Sequence, residues 1–269
     1  MTKLENIKII FIDIDGTLVN SRRRITVKTR KSIKRIVDKG IIVVLCSGRN
    51  YLSCVNESKN ALASEIVIAS NGAQIYDYKR KEFLYISEIP KNKLELIWNY
   101  CDDKQIGIIF NSNQKRLINK YLIGSFSENY EFITDFSELQ DIIISQFILV
   151  SKFYDKLSEA RDFILNLDLA IGNFSSSFLK QDTKGFLTVD VINKNISKGS
   201  GVLKLLEILE ISSDDSLCFG DFVNDLDMFK VCKFSVAMGN ACDEIKKNAN
   251  FITYSNDNNG VAYFLDKYL

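Results

Sequence analysis

The sequence predicts a doubly wound, parallel-sheet α/β core interrupted by an inserted α+β module, and three observations carry that expectation. Residues 7–12, 41–46 and 66–69 are near-continuous apolar runs, which is how strands buried on both faces read. A segment of helical periodicity separates the first two runs. The same alternation of strand and helix returns near the end of the chain, after about a hundred residues of different pattern.

In order, residues 7–12 end in acidic residues and Gly16. Residues 26–39 follow with Val27, Ile33, Ile36 and Val37 at helical spacing, and Gly40 stands where a C-terminal cap belongs. The strands at 41–46 and 66–69 then imply right-handed crossovers in one sheet. In the last third, 187–192 reads as a strand, 197–209 as a helix and 216–219 as a short buried strand, with a helix at 224–230 and a strand at 234–238. The block between holds a helix opened by Pro90 and carrying Leu94, Ile97, Trp98 and Cys101. Strands at 106–110 and 142–150, a helix at 156–166 and strands near 170–174 complete it. The expected division is a core of residues 1–81 and 187–269 with an insertion over 82–186.

Composition narrows the chemistry. The 269 residues are 46% hydrophobic and 26% charged with a formal charge of +1, so no bulk field points to nucleic acid or a membrane as partner. No apolar run approaches the ~20 residues of a membrane span, and the N-terminal residues lack a signal-peptide layout, so a cytoplasmic protein is expected. Cys46, Cys54, Cys101, Cys218, Cys232 and Cys242 form no C-x-x-C pair and read as reduced thiols. There is no histidine at all. That removes Ser-His-Asp and Cys-His catalysis and every His-ligated metal, leaving carboxylates, lysine, tyrosine and hard cations with oxygen ligands.

Four motifs sit where the strands end. Asp13-Ile14-Asp15-Gly16-Thr17 closes the first; ligands of open α/β sheets bind outside the carboxyl ends of strands, and period-2 alternation puts Asp13 and Asp15 on one side if the strand persists. Ser47-Gly48-Arg49 closes the second, where a hydroxyl and backbone N–H groups can hold a phosphate oxygen, although Ser-Gly is equally ordinary turn chemistry. Lys198 opposes the macrodipole at the start of a helix, which invites an adjacent anion; a surface lysine is the plainer alternative. Asp221 ends the 216–219 run, with Asn224 and Asp225 at the next helix start, where an acidic cap is also favourable. Three converging carboxylates, Asp13, Asp15 and Asp221, would repel one another without a cation, and oxygen-only ligation suits Mg²⁺.

The order D-x-D-G-T, S-G-R, K-G, G-D-x-x-N-D resembles the haloacid dehalogenase superfamily, and more narrowly its Cof-type sugar phosphatases, with a Rossmann-like core and a large α/β cap. Ser70-Asn71-Gly72-Ala73, Ala237-Met238-Gly239-Asn240-Ala241 and Ser255-Asn256-Asp257…Gly260-Val261 add to the likeness. The resemblance implies Asp13 as the phosphorylated nucleophile and Asp15 as the acid–base residue, with Lys198 neutralising the phosphoryl group. It implies phosphate contacts from Ser47, Gly48, Arg49, Asn71 and Asn224. Mg²⁺ would be held by Asp13, the Asp15 backbone carbonyl and Asp221, with Asp225 in support. The implied partner is a small phosphorylated metabolite whose identity the sequence leaves open, as it does the oligomeric state.

Three competing readings have their own residues. The basic stretch Arg22-Arg23-Arg24, followed by Lys28, Arg30, Lys31, Lys34 and Arg35, could serve nucleic acid, yet its helix carries an apolar face and reads better as a solvated surface. A phospho-accepting signalling module would also place Asp, Ser and Lys at strand ends, but would not carry Asp15 two residues after the acceptor. A phosphosugar mutase of the same superfamily is the closer rival, told apart by isomerised phosphosugar in place of free phosphate.

Overall fold

A computed structural model describes residues 4–123, 130–171, 175–176 and 185–269. The chain divides into two units, Met1–Tyr85 with Ile196–Leu269, and Ile86–Asn195.

The first unit opens with β1 (Ile9–Ile12), α1 (Val27–Asp38), β2 (Ile42–Cys46), α2 (Tyr51–Ala61) and β3 (Ile66–Ala69). The three strands pair in parallel, and all four residues of β1 are buried, as an uninterrupted apolar run requires. The Thr26 hydroxyl accepts the Thr29 N–H to cap α1, and Gly40 follows its end at φ +83°. α1 buries Ile33 and Ile36 while Lys28, Lys31 and Lys34 are exposed. The Asn50 side chain caps α2 by accepting the Ser53 N–H at 3.0 Å. Two further strands extend the sheet: β4 (Gln74–Asp77), antiparallel to β3, and β5 (Glu82–Ile86) beside β4. Asp77 Oδ1 accepts the N–H groups of Lys79 and Arg80, both at 2.9 Å, which builds the turn between them.

The second unit contains α3 (Lys91–Lys104), β6 (Gly107–Ser112), β7 (Arg116–Ile118), β8 (Glu131–Phe132), β9 (Ile144–Ser151), α4 (Tyr154–Leu165), β10 (Leu169–Ile171), β11 (Ser175–Ser176) and β12 (Leu187–Asn193). Its sheet runs β10-β12-β9-β6-β7-β8, with β11 paired to β12. Leu94, Ile97 and Cys101 of α3 and Leu157, Ala160 and Ile164 of α4 share a core with Phe110, Phe147, Leu149, Val189 and Val191. The expected strand near 170–174 is β10, and residues 172–174 lie outside the described ones.

The chain then returns through α5 (Lys198–Ile208), β13 (Ser216–Gly220), α6 (Leu226–Val231), β14 (Phe234–Ala237), α7 (Asp243–Lys247), β15 (Phe251–Ile252) and α8 (Gly260–Tyr268). β13 pairs in parallel with β1, from Ile9↔Ser216 to Ile12↔Phe219. The order of the first sheet is therefore β15-β14-β13-β1-β2-β3-β4-β5. It reverses at β1, a topological switch point, and such points open a crevice at the carboxyl ends of the strands. Apolar layers cover both faces, one including Ile33, Leu45, Phe219 and Phe264, the other Phe11, Val44, Leu205 and Met228. Among the described residues no helix is long and apolar enough to cross a membrane.

Two boundaries shift from the sequence expectation. The strand expected at 187–192 as part of the core is β12, antiparallel to β9 from Leu187↔Ser151 to Ile192↔Gln146, inside the second unit. Residues 82–85, expected in the insertion, belong to the first sheet through β5. An apolar strand carries no mark of which sheet it joins; pairing partners far away in sequence decide it.

Candidate active site

The site begins where β1 stops. The Asp13 N–H still donates to Phe219 O at 3.1 Å, holding this residue in line with β13, and then the chain turns. Leu18 N–H donates to Asp13 O and Val19 N–H to Ile14 O, so the expected alternation does not reach Asp15. Gly16 makes the turn at φ +85°, and a Cβ there would lie 2.2 Å from Asp221 Oδ2. Only glycine lets the Asp221 carboxylate come that close to the turn.

Asp13 is 4% exposed and Lys198 2%. Lys198 Nζ donates to Asp13 Oδ1 at 2.5 Å and to Asp225 Oδ1 at 2.7 Å. Burial by itself would push the Lys198 ammonium down, but the Asp13 and Asp225 carboxylates outweigh it and hold its pKa above the usual value. Burial pushes the Asp13 carboxyl well up; Lys198 opposes that, while Asp225 and Asp221 add repulsion. The lysine at the head of α5 thus has the anions its position called for.

Asp225 does two things at once. Its Oδ1 accepts from Lys198, and its Oδ2 accepts the backbone N–H groups of Asp221 at 2.9 Å and Phe222 at 3.0 Å. That fixes the loop after β13 and aims Asp221. Thr17 Oγ1 donates to Asp221 Oδ1 at 2.7 Å, while Asn240 Nδ2 donates to Gly16 O at 2.9 Å and reaches Asp221 Oδ2 at 3.5 Å. Burial nevertheless raises the Asp221 carboxyl to about 6; the Thr17 bond lowers it and Asp225 raises it.

Asp15 is not in that cluster. Its carboxylate is gripped bidentately by Arg49, Nε to Oδ2 at 2.7 Å and Nη2 to Oδ1 at 2.6 Å. Arg49 Nη1 in turn donates to Glu57 Oε1 at 3.1 Å. Burial disfavours the guanidinium charge, yet the Asp15 and Glu57 carboxylates raise its pKa above the usual value.

On the other side of the β2 end, Ser47 is buried, and its hydroxyl accepts the Arg49 N–H at 3.2 Å. Ser70, Asn71 and Gly72 are all left-handed, at φ +51°, +53° and +98°. This turn carries Asn71 N–H to Ser47 O at 3.0 Å and sets the Asn71 amide against Gly48, where Asn71 Oδ1 accepts from Asn224 Nδ2 at 3.2 Å. A Cβ on Gly72 would sit 2.0 Å from Ser197 O, so this glycine admits the first turn of α5 and with it Lys198.

Asp13, Asp221 and Asp225 offer carboxylate oxygens that all lie within 4.8 Å of one another. Opposed ligands of an octahedral Mg²⁺ are separated by about 4.2 Å, so the donor set and its span fit a small hard cation. One ammonium also leaves the three carboxylates short of positive charge. Asp225 is the least suited of them, because both its oxygens are already engaged. Asp13 and Asp221 are the pair that could face such an ion. The convergence of Asp13, Asp15 and Asp221 carboxylates expected from the sequence is thus corrected: the third carboxylate of the cluster is Asp225, because Arg49 draws Asp15 aside.

A sequence profile for haloacid dehalogenase-like hydrolases matches residues 10–265. This chain belongs to that family. Among its relatives are two 5-amino-6-(5-phospho-D-ribitylamino)uracil phosphatases of Bacillus subtilis. YwtE is 29% identical over 97% of this chain and 98% of its own, and YcsE 28% over 96% and 94%. A haloacid dehalogenase-like hydrolase from Bacteroides thetaiotaomicron has the same fold, with TM-score 0.85 at 23% identity over 98% of this chain and 100% of that one. The family resemblance read from the motifs holds, and this haloacid dehalogenase-like hydrolase is a phosphoric monoester hydrolase.

Sequence reasoning gave no role to Thr17, Asn240 or Glu57. Thr17 and Asn240 lay inside motifs already quoted and could have been weighed as partners of Asp221. Glu57 carries no such signal, since nothing in the spacing shows Arg49 turning back over the first turns of α2.

Proposed function

We propose that this hydrolase is a Mg²⁺-dependent phosphatase of small phosphate monoesters, sugar phosphates or similar metabolites, working through an aspartyl phosphate on Asp13. The observation that carries the reading is the buried Asp13 carboxylate beside Lys198 at the switch point of the sheet, with Asp221 close by. One Asp13 oxygen attacks phosphorus as the ester P–O bond breaks, and Asp15 donates a proton to the leaving alcohol. In the second half Asp15 takes a proton from the attacking water, and the acyl phosphate opens to return Asp13 and release phosphate. Lys198 neutralises the phosphoryl oxygens, Ser47, Gly48, Asn71 and Asn224 orient them, Asp225 keeps Lys198 in place, and Arg49, expected among the phosphate contacts, holds Asp15 instead. Bound Mg²⁺, held by Asp13, Asp221 and the Asp15 backbone carbonyl, would supply charge neutralisation for the transferring group.

The relatives and the insertion support the substrate class. The B. subtilis proteins are named for a phosphorylated ribityl compound, an alkyl phosphate whose leaving group needs a proton. The second unit enters the chain between Ser47 and Lys198, both assigned to the same phosphoryl group. We read it as a cap that shields the reaction from water and selects the leaving group. The test is phosphate release with Mg²⁺ across a panel of phosphometabolites beside a folded phosphoprotein. Turnover of small esters alone supports the reading. Efficient dephosphorylation of the protein removes the cap's role, and isomerised phosphosugar without free phosphate removes the phosphatase.

A further inference from the structure

We infer that Glu57 is a positioning residue for Asp15, acting through the Arg49 guanidinium. The inference rests on the acid–base role proposed for Asp15. That role sets two demands: the carboxyl must be delivered to the leaving oxygen at a fixed reach, and it must be able to leave whatever holds it at rest. Asp15 is the more exposed member of its pair, its side chain 57% exposed against 25% for Arg49. It lies beyond the end of β1, where its backbone bridges to Val19, and its exposed side chain needs a partner to orient it. The Arg49 fork is that partner, with two parallel bonds at 2.7 and 2.6 Å.

A fork is only as fixed as its far end. Arg49 is itself in the loop before α2, and an untethered arginine side chain samples many rotamers. Its remaining terminal nitrogen is tied to α2: Nη1 donates to Glu57 Oε1 at 3.1 Å and reaches Ser53 Oγ at 3.5 Å. Ser53 and Glu57 are one helical turn apart and lie on one face of α2, so both contacts fall on the same side of the guanidinium. Glu57 is 23% exposed, less than any other carboxylate Arg49 touches, and α2 packs into the core through Cys54, Val55 and Ser58. The rigid element is therefore α2, the adjustable one Asp15, and Arg49 the coupling between them. The guanidinium is also shared between two carboxylates. Glu57 keeps it in place while leaving Asp15 a partner it does not own outright, which lets the acid swing away to the leaving group. A purely structural ion pair between Glu57 of α2 and Arg49 of its preceding loop would not need the bidentate grip on Asp15.

The test uses kcat/KM, which reports the steps through phosphorylation, for two substrates of the Mg²⁺-loaded enzyme. p-Nitrophenyl phosphate has a leaving group that departs without a proton, and glycerol phosphate has one that needs it. The ratio of the two within one preparation cancels any change in the folded fraction. Asp15→Asn should lower the glycerol phosphate value relative to the aryl one by about a hundredfold. Glu57→Ala should lower the same ratio by about tenfold, and Glu57→Gln, which keeps an acceptor, by about threefold. In the Asp15→Asn background, Glu57→Ala should change the ratio no further. Equal losses on both substrates in Glu57→Ala and Glu57→Gln would overturn the inference, as would independent losses multiplying in the double variant. If Asp15→Asn itself leaves the ratio unchanged, the acid–base role falls and takes this inference with it; if only the Glu57 variants leave it unchanged, that role stands and the inference alone fails.

Discussion

Lys198 and Asp225, two buried side chains twenty-seven positions apart, meet at 2.7 Å, and both oxygens of the aspartate are occupied. The pair joins the head of α5 to the loop after β13, and through that loop it aims Asp221. Removing the carboxylate strands a buried ammonium and two backbone donors. Asp225→Ala should therefore lose about 3–5 kcal/mol of stability. Urea unfolding measures this, and a loss below ~1 kcal/mol would mean that the contact is incidental.

Asp13 behaves in the opposite way. Burial and the neighbouring Asp225 and Asp221 work against its charged form, with Lys198 as the single counterweight. Asp13→Asn should abolish turnover, because an amide cannot form the acyl phosphate, while the metal-free melting temperature stays level or rises. Residual turnover above a thousandth of the parent, or a melting temperature several degrees lower, would contradict the assignment.

Asp221 connects the metal to pH. In the metal-free fold its proton is held up to a pH of about 6, while an unfolded aspartate releases it near pH ~4. The group's contribution to stability is thus complete below the lower value and is lost as pH rises through about 6. A cation reverses the balance by favouring the carboxylate. The rise in melting temperature on adding Mg²⁺ should be small near pH ~5 and grow above pH ~6, as proton and metal compete. Equal Mg²⁺ shifts at both pH values would detach Asp221 from the cation, and full activity in EDTA would dispense with the cation altogether.

Gly72 tests how Lys198 is delivered. A methyl there meets Ser197 O at 2.0 Å, in a left-handed backbone conformation. Gly72→Ala should cost ~2 kcal/mol or more in stability and lower kcat for aryl and alkyl phosphates alike, since it displaces Lys198 rather than Asp15. A selective loss on alkyl phosphates would place the damage elsewhere.

How much of this was legible beforehand differs from residue to residue. The β1, β2 and β3 runs were readable because strands buried on both faces leave no polar residue to interrupt them. The motif positions at Asp13, Ser47 and Asp221 were readable for a related reason: each follows such a run, and a strand end in a parallel sheet is a fixed place. The same rule misled at residues 187–192, where an equally apolar strand joins the second unit's sheet, and at Asp15, where the strand has already ended.

By itself the sequence determined the chemistry available: no histidine, aspartates at two strand ends, one lysine at a helix start and a hydroxyl beside a glycine. These are properties of residue type and of local periodicity, which a linear chain contains in full. The tertiary structure alone decided which carboxylates share a space. It brought Asp225 to Lys198 and Asp13, and it gave Asp15 to Arg49 and Glu57. The physical reason is that charge interactions depend on distance and burial, and both are set by the fold, which brings together residues 8 to 185 positions apart.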